Sequence, residues 1–154
     1  MEAYTTFGYG HVDLRERPFK FSQGGITGGI SGMVRFVEMD DNVAYSTQME
    51  QTCGPVVLIN KFNVAPEHVE AFLAAWAGTA AVMKRQPGYI FTQLHKGVGG
   101  SCVFVNVAVW ESMADYKRAF ANTEFQAKLV NFPASTVTSP HLFQKIAVPG
   151  VCLA

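Results

Sequence analysis

Apolar residues change their spacing at intervals along the chain, and the spacing predicts the elements. Val56-Val57-Leu58-Ile59-Asn60-Lys61-Phe62 follows Gly54-Pro55 as a β-prone run and predicts a strand. Pro66 suits the first turn of a helix, and Val69, Phe72, Leu73, Trp76, Ala80 and Met83 then recur every three or four residues. That spacing puts them on one helical face, which ends at Gln86-Pro87-Gly88. Tyr89 to His95 predicts a second strand, Gly97-Val98-Gly99-Gly100 a hairpin turn, and Cys102 to Trp110 a third strand. Ser112-Met113-Ala114-Asp115 has the spacing of a capping box with Asp in the Glu position. It opens a helix through Tyr116 and Phe120, with further helical turns from Glu124 to Val130. Past Pro133 and Pro140, His141 to Val148 predicts a fourth strand. The order β-α-β-β-α-β is that of a ferredoxin-like α+β domain, an antiparallel sheet with both helices on one face.

The chain changes character near Gly54-Pro55, which divides an N-terminal extension, residues 1–54, from the regular domain, residues 55–154. Eight of the fourteen glycines fall before that point, and five crowd into Gly24-Gly25-Ile26-Thr27-Gly28-Gly29-Ile30-Ser31-Gly32, too dense for a helix or strand interior. No GxGxxG or Walker lysine accompanies them, so the stretch reads as a loop of an accessory arm rather than a phosphate cradle. Met33 to Val37 predicts a short strand after it.

Parity sorts the sheet, because alternate strand residues point to opposite sides. Val103, Val105, Val107 and Val109 form a uniform β-branched layer, suited to packing against helices. The opposite parity sets Phe104, Asn106 and Trp110 beside Asn60 and Phe62 of the first strand and Phe91, Gln93 and His95 of the second. Aromatic walls with a few fixed polar groups predict a pocket for a planar organic ligand. An equally simple reading has these amides bonding one another, or water, across a dimer interface.

Composition narrows the classes. In 154 residues, 49% are hydrophobic and only 16% charged, so the chain is globular and must bury its apolar surplus in a subunit interface or a ligand cavity. Twelve basic residues balance twelve acidic ones, which argues against capture of nucleic acid or an anionic membrane. No apolar run has the length of a spanning helix. Cys53, Cys102 and Cys152 form no CxxC, and His11, His68, His95 and His141 form no ligand pair, so no metal site is expected. The opening residues Met1 to Thr6 lack the features of a signal peptide, so a cytoplasmic protein is expected. In the expected strand order Cys53 precedes the first strand and Cys152 follows the fourth, which brings the two thiols near each other.

Several stretches carry a resemblance. They are Val57-Leu58-Ile59-Asn60-Lys61-Phe62, the helix ending Gln86-Pro87-Gly88-Tyr89, Phe104-Val105-Asn106-Val107-Ala108-Val109-Trp110-Glu111-Ser112, and Tyr116-Lys117 followed by Glu124-Phe125. In order and spacing the segment from about 55 to 148 resembles the antibiotic biosynthesis monooxygenase (ABM) superfamily. The resemblance implies a homodimeric α+β barrel with small ligands bound between sheet and helices of each subunit. The superfamily includes cofactor-free oxygenases, haem-degrading enzymes, small isomerases and members without known activity. The haem-degrading branch uses a first-strand Asn with a Trp and a His in the second helical region. Asn60 matches the first, but Ala119 and Leu129 stand at the other two positions.

The resemblance therefore implies a cofactor-independent monooxygenase that converts a phenolic or anthrone-type substrate to a quinone, with no cofactor expected. Asn60 and Asn106 would donate to the substrate oxyanion and His95 would act as base. Phe62, Phe91, Gln93, Phe104 and Trp110 would hold the ring. The alternatives are a non-catalytic ligand-binding or structural dimer and an isomerase or cyclase using the same oxyanion contacts.

Overall fold

The chain is described by a computed structural model over residues 34–154; the glycine-rich stretch 24–32 lies outside the described residues. Five strands form one sheet: β1 (Arg35–Phe36), β2 (Val56–Asn63), β3 (Tyr89–Lys96), β4 (Val103–Trp110) and β5 (Val137–Phe143). Their order is β1-β5-β2-β4-β3, with β1 parallel to β5 and every other pair antiparallel. Helix α1 (Tyr45–Gln48) precedes β2, α2 (Val69–Met83) joins β2 to β3, and α3 (Met113–Phe120) and α4 (Thr123–Lys128) join β4 to β5. From β2 onward this is the ferredoxin-like order that the periodicity predicts.

The capping box forms as expected. Ser112 Oγ accepts from the Asp115 N–H at 3.1 Å and donates to its carboxylate at 2.6 Å. Asn122 Oδ1 accepts from the Phe125 N–H at 3.1 Å, and this second cap divides α4 from α3. Gly54 lies so close to the turn after β4 that a Cβ there would overlap the Glu111 carbonyl oxygen and sit 2.9 Å from the Ser112 Cα. The start of β2 is thus pinned against the start of α3, and the Met113 N–H donates to the Cys53 carbonyl at 2.8 Å.

Three expectations are corrected. The last strand runs Val137–Phe143, not from His141 to Val148, and it passes through Pro140. Leu142 turns its N–H and C=O away from β2, toward the Gln48 side chain of α1. Two residues earlier, Pro140 therefore turns its nitrogen toward the same open edge, where no ladder bond is lost. Second, the buried face of α2 is Phe72, Ala75, Thr79 and Val82, which leaves Leu73 40% exposed.

The third correction inverts the sheet. Val56, Leu58, Phe62, Phe104, Ala108 and Trp110 are buried against the helices, while Val105, Val107 and Val109 lie half-buried on the outer face. Rings gain most from helix cover, since each buries about 150–250 Å². The core they build has two parts. One gathers Val56, Leu58, Ala108, Trp110 and Leu142 with Met113, Tyr116 and Ala119 of α3; the other gathers Phe62, Phe104 and Phe132 with Phe72 and Ala75 of α2.

Residues 34–53 belong to the same body. Beyond β1, the Val37 N–H donates to the Thr138 carbonyl at 2.9 Å. Tyr45 enters the first core cluster fully buried, and its hydroxyl hydrogen-bonds that of Tyr116. Cys53, Cys102 and Cys152 are free thiols; Cys53 packs against the core and Cys152 is exposed.

Candidate functional site

The two core clusters are separated by a polar row. Asn60 and Asn106 stand directly opposite each other on the central strands β2 and β4. They share the helix side with Leu58 and Phe62 on one strand and Phe104 and Ala108 on the other. Directly opposite residues keep their Cβ atoms about 4.5–5.5 Å apart, so the two amides are neighbours. Each is half-buried, and each is held from the next strand out. Thr138 Oγ1 donates to Asn60 Oδ1 at 2.7 Å, and Thr92 Oγ1 donates to Asn106 Oδ1 at 2.7 Å. With both carbonyl oxygens engaged, the two Nδ2 groups have no hydrogen-bond partner among the described residues. The row can offer up to four N–H donors to an oxygen.

A groove of about 390 Å³ runs between α2 and the edge strand β3 and reaches this row at Thr92. Trp76, Ala77, Ala80, Ala81 and Lys84 form its helical wall, and Tyr89, Thr92 and Leu94 its sheet wall, with Gln93 at the rim. The alanines keep that wall low, so a flat molecule can lie along it. The volume is within the range of small-ligand sites, about 300–1,000 Å³. Burial pushes the Tyr89 phenol above its usual pKa, so it lines the groove as a neutral hydroxyl. Further along β3, beyond the groove, Lys96 lays its ammonium over the Phe104 ring, 5.9 Å from the centroid.

The eight residues expected to share one face do not. Asn60, Phe62, Phe104, Asn106 and Trp110 lie together on the helix side. A bulge between Tyr89 and Phe91 shifts the register of β3 by one residue. Phe91, Gln93 and His95 consequently pair with Val109, Val107 and Val105 and turn to the outer face, all three exposed. His95 rests its Nδ1 against the Val105 carbonyl at 3.3 Å, across the sheet from both asparagines. Thr92 and Leu94 take the helix side in their place.

Phe62, Phe104 and Trp110 are deep packing residues, between 1% and 6% exposed. Phe104 packs 4.8 Å from Phe72, centroid to centroid, and Trp110 packs edge-on to Tyr89 and Tyr116. Phe62 and Phe104 border the asparagine row, while Trp110 lies one residue pair further off, beyond Leu58 and Ala108. Thr92 and Thr138 escaped the reading of the sequence; the signal that finds them is register, since each lies diagonally across from its asparagine on the adjoining strand. Among the described residues no three His, Cys, Asp or Glu side chains cluster as a metal site, and no helix is long and apolar enough to cross a membrane.

A ferredoxin-like α+β domain with a polar row between sheet and helices defines a class of small-ligand proteins, and comparison with known proteins gives the family. The antibiotic biosynthesis monooxygenase profile matches residues 55–128. A candidate monooxygenase from Shewanella loihica PV-4 is 33% identical, with a TM-score of 0.54, over 64% of this chain and 99% of that one. SnoaB from Streptomyces nogalater, a cofactor-independent oxygenase, is 28% identical with a TM-score of 0.56, over the same shares of 64% and 99%. A SnoaB variant with one asparagine replaced by alanine also matches, at 27% identity, a TM-score of 0.55, and 64% of this chain against 99% of that one. Among curated proteins none matches significantly. The chain belongs to the antibiotic biosynthesis monooxygenase family.

Proposed function

We propose that the protein is a cofactor-independent oxygenase that oxidises an anthrone-type or phenolic aromatic, with Asn60 and Asn106 as its oxyanion donors. The observation that carries the reading is the pair of neighbouring amides whose carbonyls are already satisfied, which leaves each asparagine its N–H groups to offer. An anthrone that loses a proton becomes an electron-rich enolate able to reduce dioxygen itself. One oxygen atom enters the ring as the new carbonyl and the other leaves as water, so the methylene supplies every electron needed. The protein's part is to stabilise the enolate oxygen and hold the ring flat in the groove.

The row supplies no base. Its helix-side neighbours are Leu58, Phe62, Phe104 and Ala108, with Leu94 and Pro140 directly opposite the asparagines, and none of these titrates. In this reading the proton leaves to solvent, assisted by an oxyanion site that makes the substrate more acidic. Oxygen uptake with a panel of anthrones and hydroquinones tests the activity. Asn60→Ala and Asn106→Ala should each lower turnover by about 10²–10³ while the fold survives. Unchanged turnover in both variants would end the oxyanion reading.

The working unit in this proposal is a homodimer. Val105, Val107 and Val109 leave an aliphatic outer face half-covered, and Ile90 and Phe91 beside them are 50% and 46% exposed. A second copy would cover that surface.

A further inference from the structure

We infer that Thr92 and Thr138 are positioning residues that fix the orientation of the Asn106 and Asn60 amides; the inference rests on the oxyanion reading above and deepens it. An asparagine amide can rotate by half a turn at little steric cost, and its two orientations offer opposite chemistry. With N–H groups toward the ligand it stabilises an anion. With the carbonyl toward the ligand it repels one. Something has to choose, and here the choice is made twice in the same way. Thr138 and Thr92 donate to Asn60 Oδ1 and Asn106 Oδ1, both at 2.7 Å.

The repetition is built into the register. Asn60 lies opposite Pro140, and Thr138 stands two residues before Pro140; Asn106 lies opposite Leu94, and Thr92 stands two residues before Leu94. A half-turn about an axis between the asparagines exchanges β2 with β4 and β5 with β3, and carries one Thr–Asn couple onto the other. Both threonines are half-buried, where the competing bond to water is weakened. In both couples the hydroxyl donates and the amide carbonyl accepts, which leaves the amide N–H groups for the ligand.

The test uses Thr92→Val and Thr138→Val, which keep the branched shape and remove the hydroxyl, beside Thr92→Ser and Thr138→Ser, which keep the hydroxyl. Side-chain amide NMR reads the orientation directly and needs no substrate, with Asn60→Ala and Asn106→Ala assigning the signals. In the full-length protein each amide should give one pair of separated N–H signals. In the Val variants the pair belonging to the partnered asparagine should broaden or double, and the Ser variants should restore it. With an active anthrone, each Val variant should lose about tenfold in kcat with KM little changed, and Ser should recover most of it. Amide signals unmoved in the Val variants overturn the inference whatever the activity. So does full kcat in the Val variants where the Asn→Ala variants are impaired. Full turnover in Asn60→Ala and Asn106→Ala retires the oxyanion reading instead, and the amide signals still decide whether the threonines orient the asparagines.

Discussion

Tyr45 and Tyr116, 71 residues apart in sequence, join their hydroxyls in a hydrogen bond inside the core. One belongs to the N-terminal arm and the other to α3, so the bond ties the arm to the domain within the buried core. Phe36 and Phe120 pack against the Tyr45 ring at centroid distances of 6.1 and 6.2 Å. Tyr45→Phe keeps the rings and strands the Tyr116 hydroxyl without a partner. Its expected cost is about 1–3 kcal/mol, read from urea denaturation, with the Tyr45→Phe/Tyr116→Phe double variant recovering part of the loss.

The same pair makes the fold sensitive to alkali. Burial, the first cause for each, raises both phenols above their usual pKa. In the unfolded chain they ionise near the usual value, about pH 10. The unfolded state therefore loses its protons first, so the stabilisation is complete below about pH 10 and declines as pH rises toward the folded values. Denaturation midpoints should stay level up to about pH 10 and fall beyond it. A Tyr45→Phe variant with the same alkaline slope as the parent would contradict this.

Replacing His95 by Gln should leave the pH–rate profile unchanged. The ring lies on the outer face, and the sheet itself separates it from the asparagine row. The profile should instead rise with pH until the bound substrate is ionised, and it should shift when the substrate is exchanged for one of different acidity. A changed pH–rate profile in His95→Gln would restore the histidine as the base.

Light scattering should return twice the chain mass of 16.8 kDa. Val107→Lys, at the middle of the outer face, should shift the population toward monomer with secondary structure intact. A clean monomer for the parent protein at micromolar concentration would leave the outer face unexplained as an interface.

Periodicity found the elements because each buries one side: the alternation in β4, the three-and-four spacing in α2 and the Ser112–Asp115 cap all carry local signals. Parity divides strand residues into two sets, yet it does not say which set meets the helices. The valines looked suited to that role, and the rings took it because they bury more. One bulged residue near Ile90 then moved His95 and Gln93 across the sheet, and nothing in the local sequence of β3 announces a bulge. Asn60 and Asn106 were legible because amides are out of place in an apolar strand interior. Thr92 and Thr138 were not, since threonine is ordinary in strands and only the register brings each to its asparagine. The arm's α1 was equally hidden: four residues without a side-chain cap show no periodicity.

Gln48 closes the open edge of β5 with one side chain. Its Oε1 accepts the Leu142 N–H at 3.0 Å and its Nε2 reaches the Leu142 carbonyl at 3.4 Å, while also meeting His141 Nε2 at 2.7 Å. A primary amide has the same donor–acceptor pair as a peptide group, so this glutamine stands in for a sixth strand one residue long. Exposed strand edges recruit other strands, and chains with unguarded edges tend to stick to one another. The consequence concerns handling as much as structure: cutting the chain back to residues 55–154 would remove the stopper along with the arm while leaving the β5 edge in place. Such a truncated protein would be prone to self-adhesion along that edge, besides losing Tyr45 and Met49 from its core.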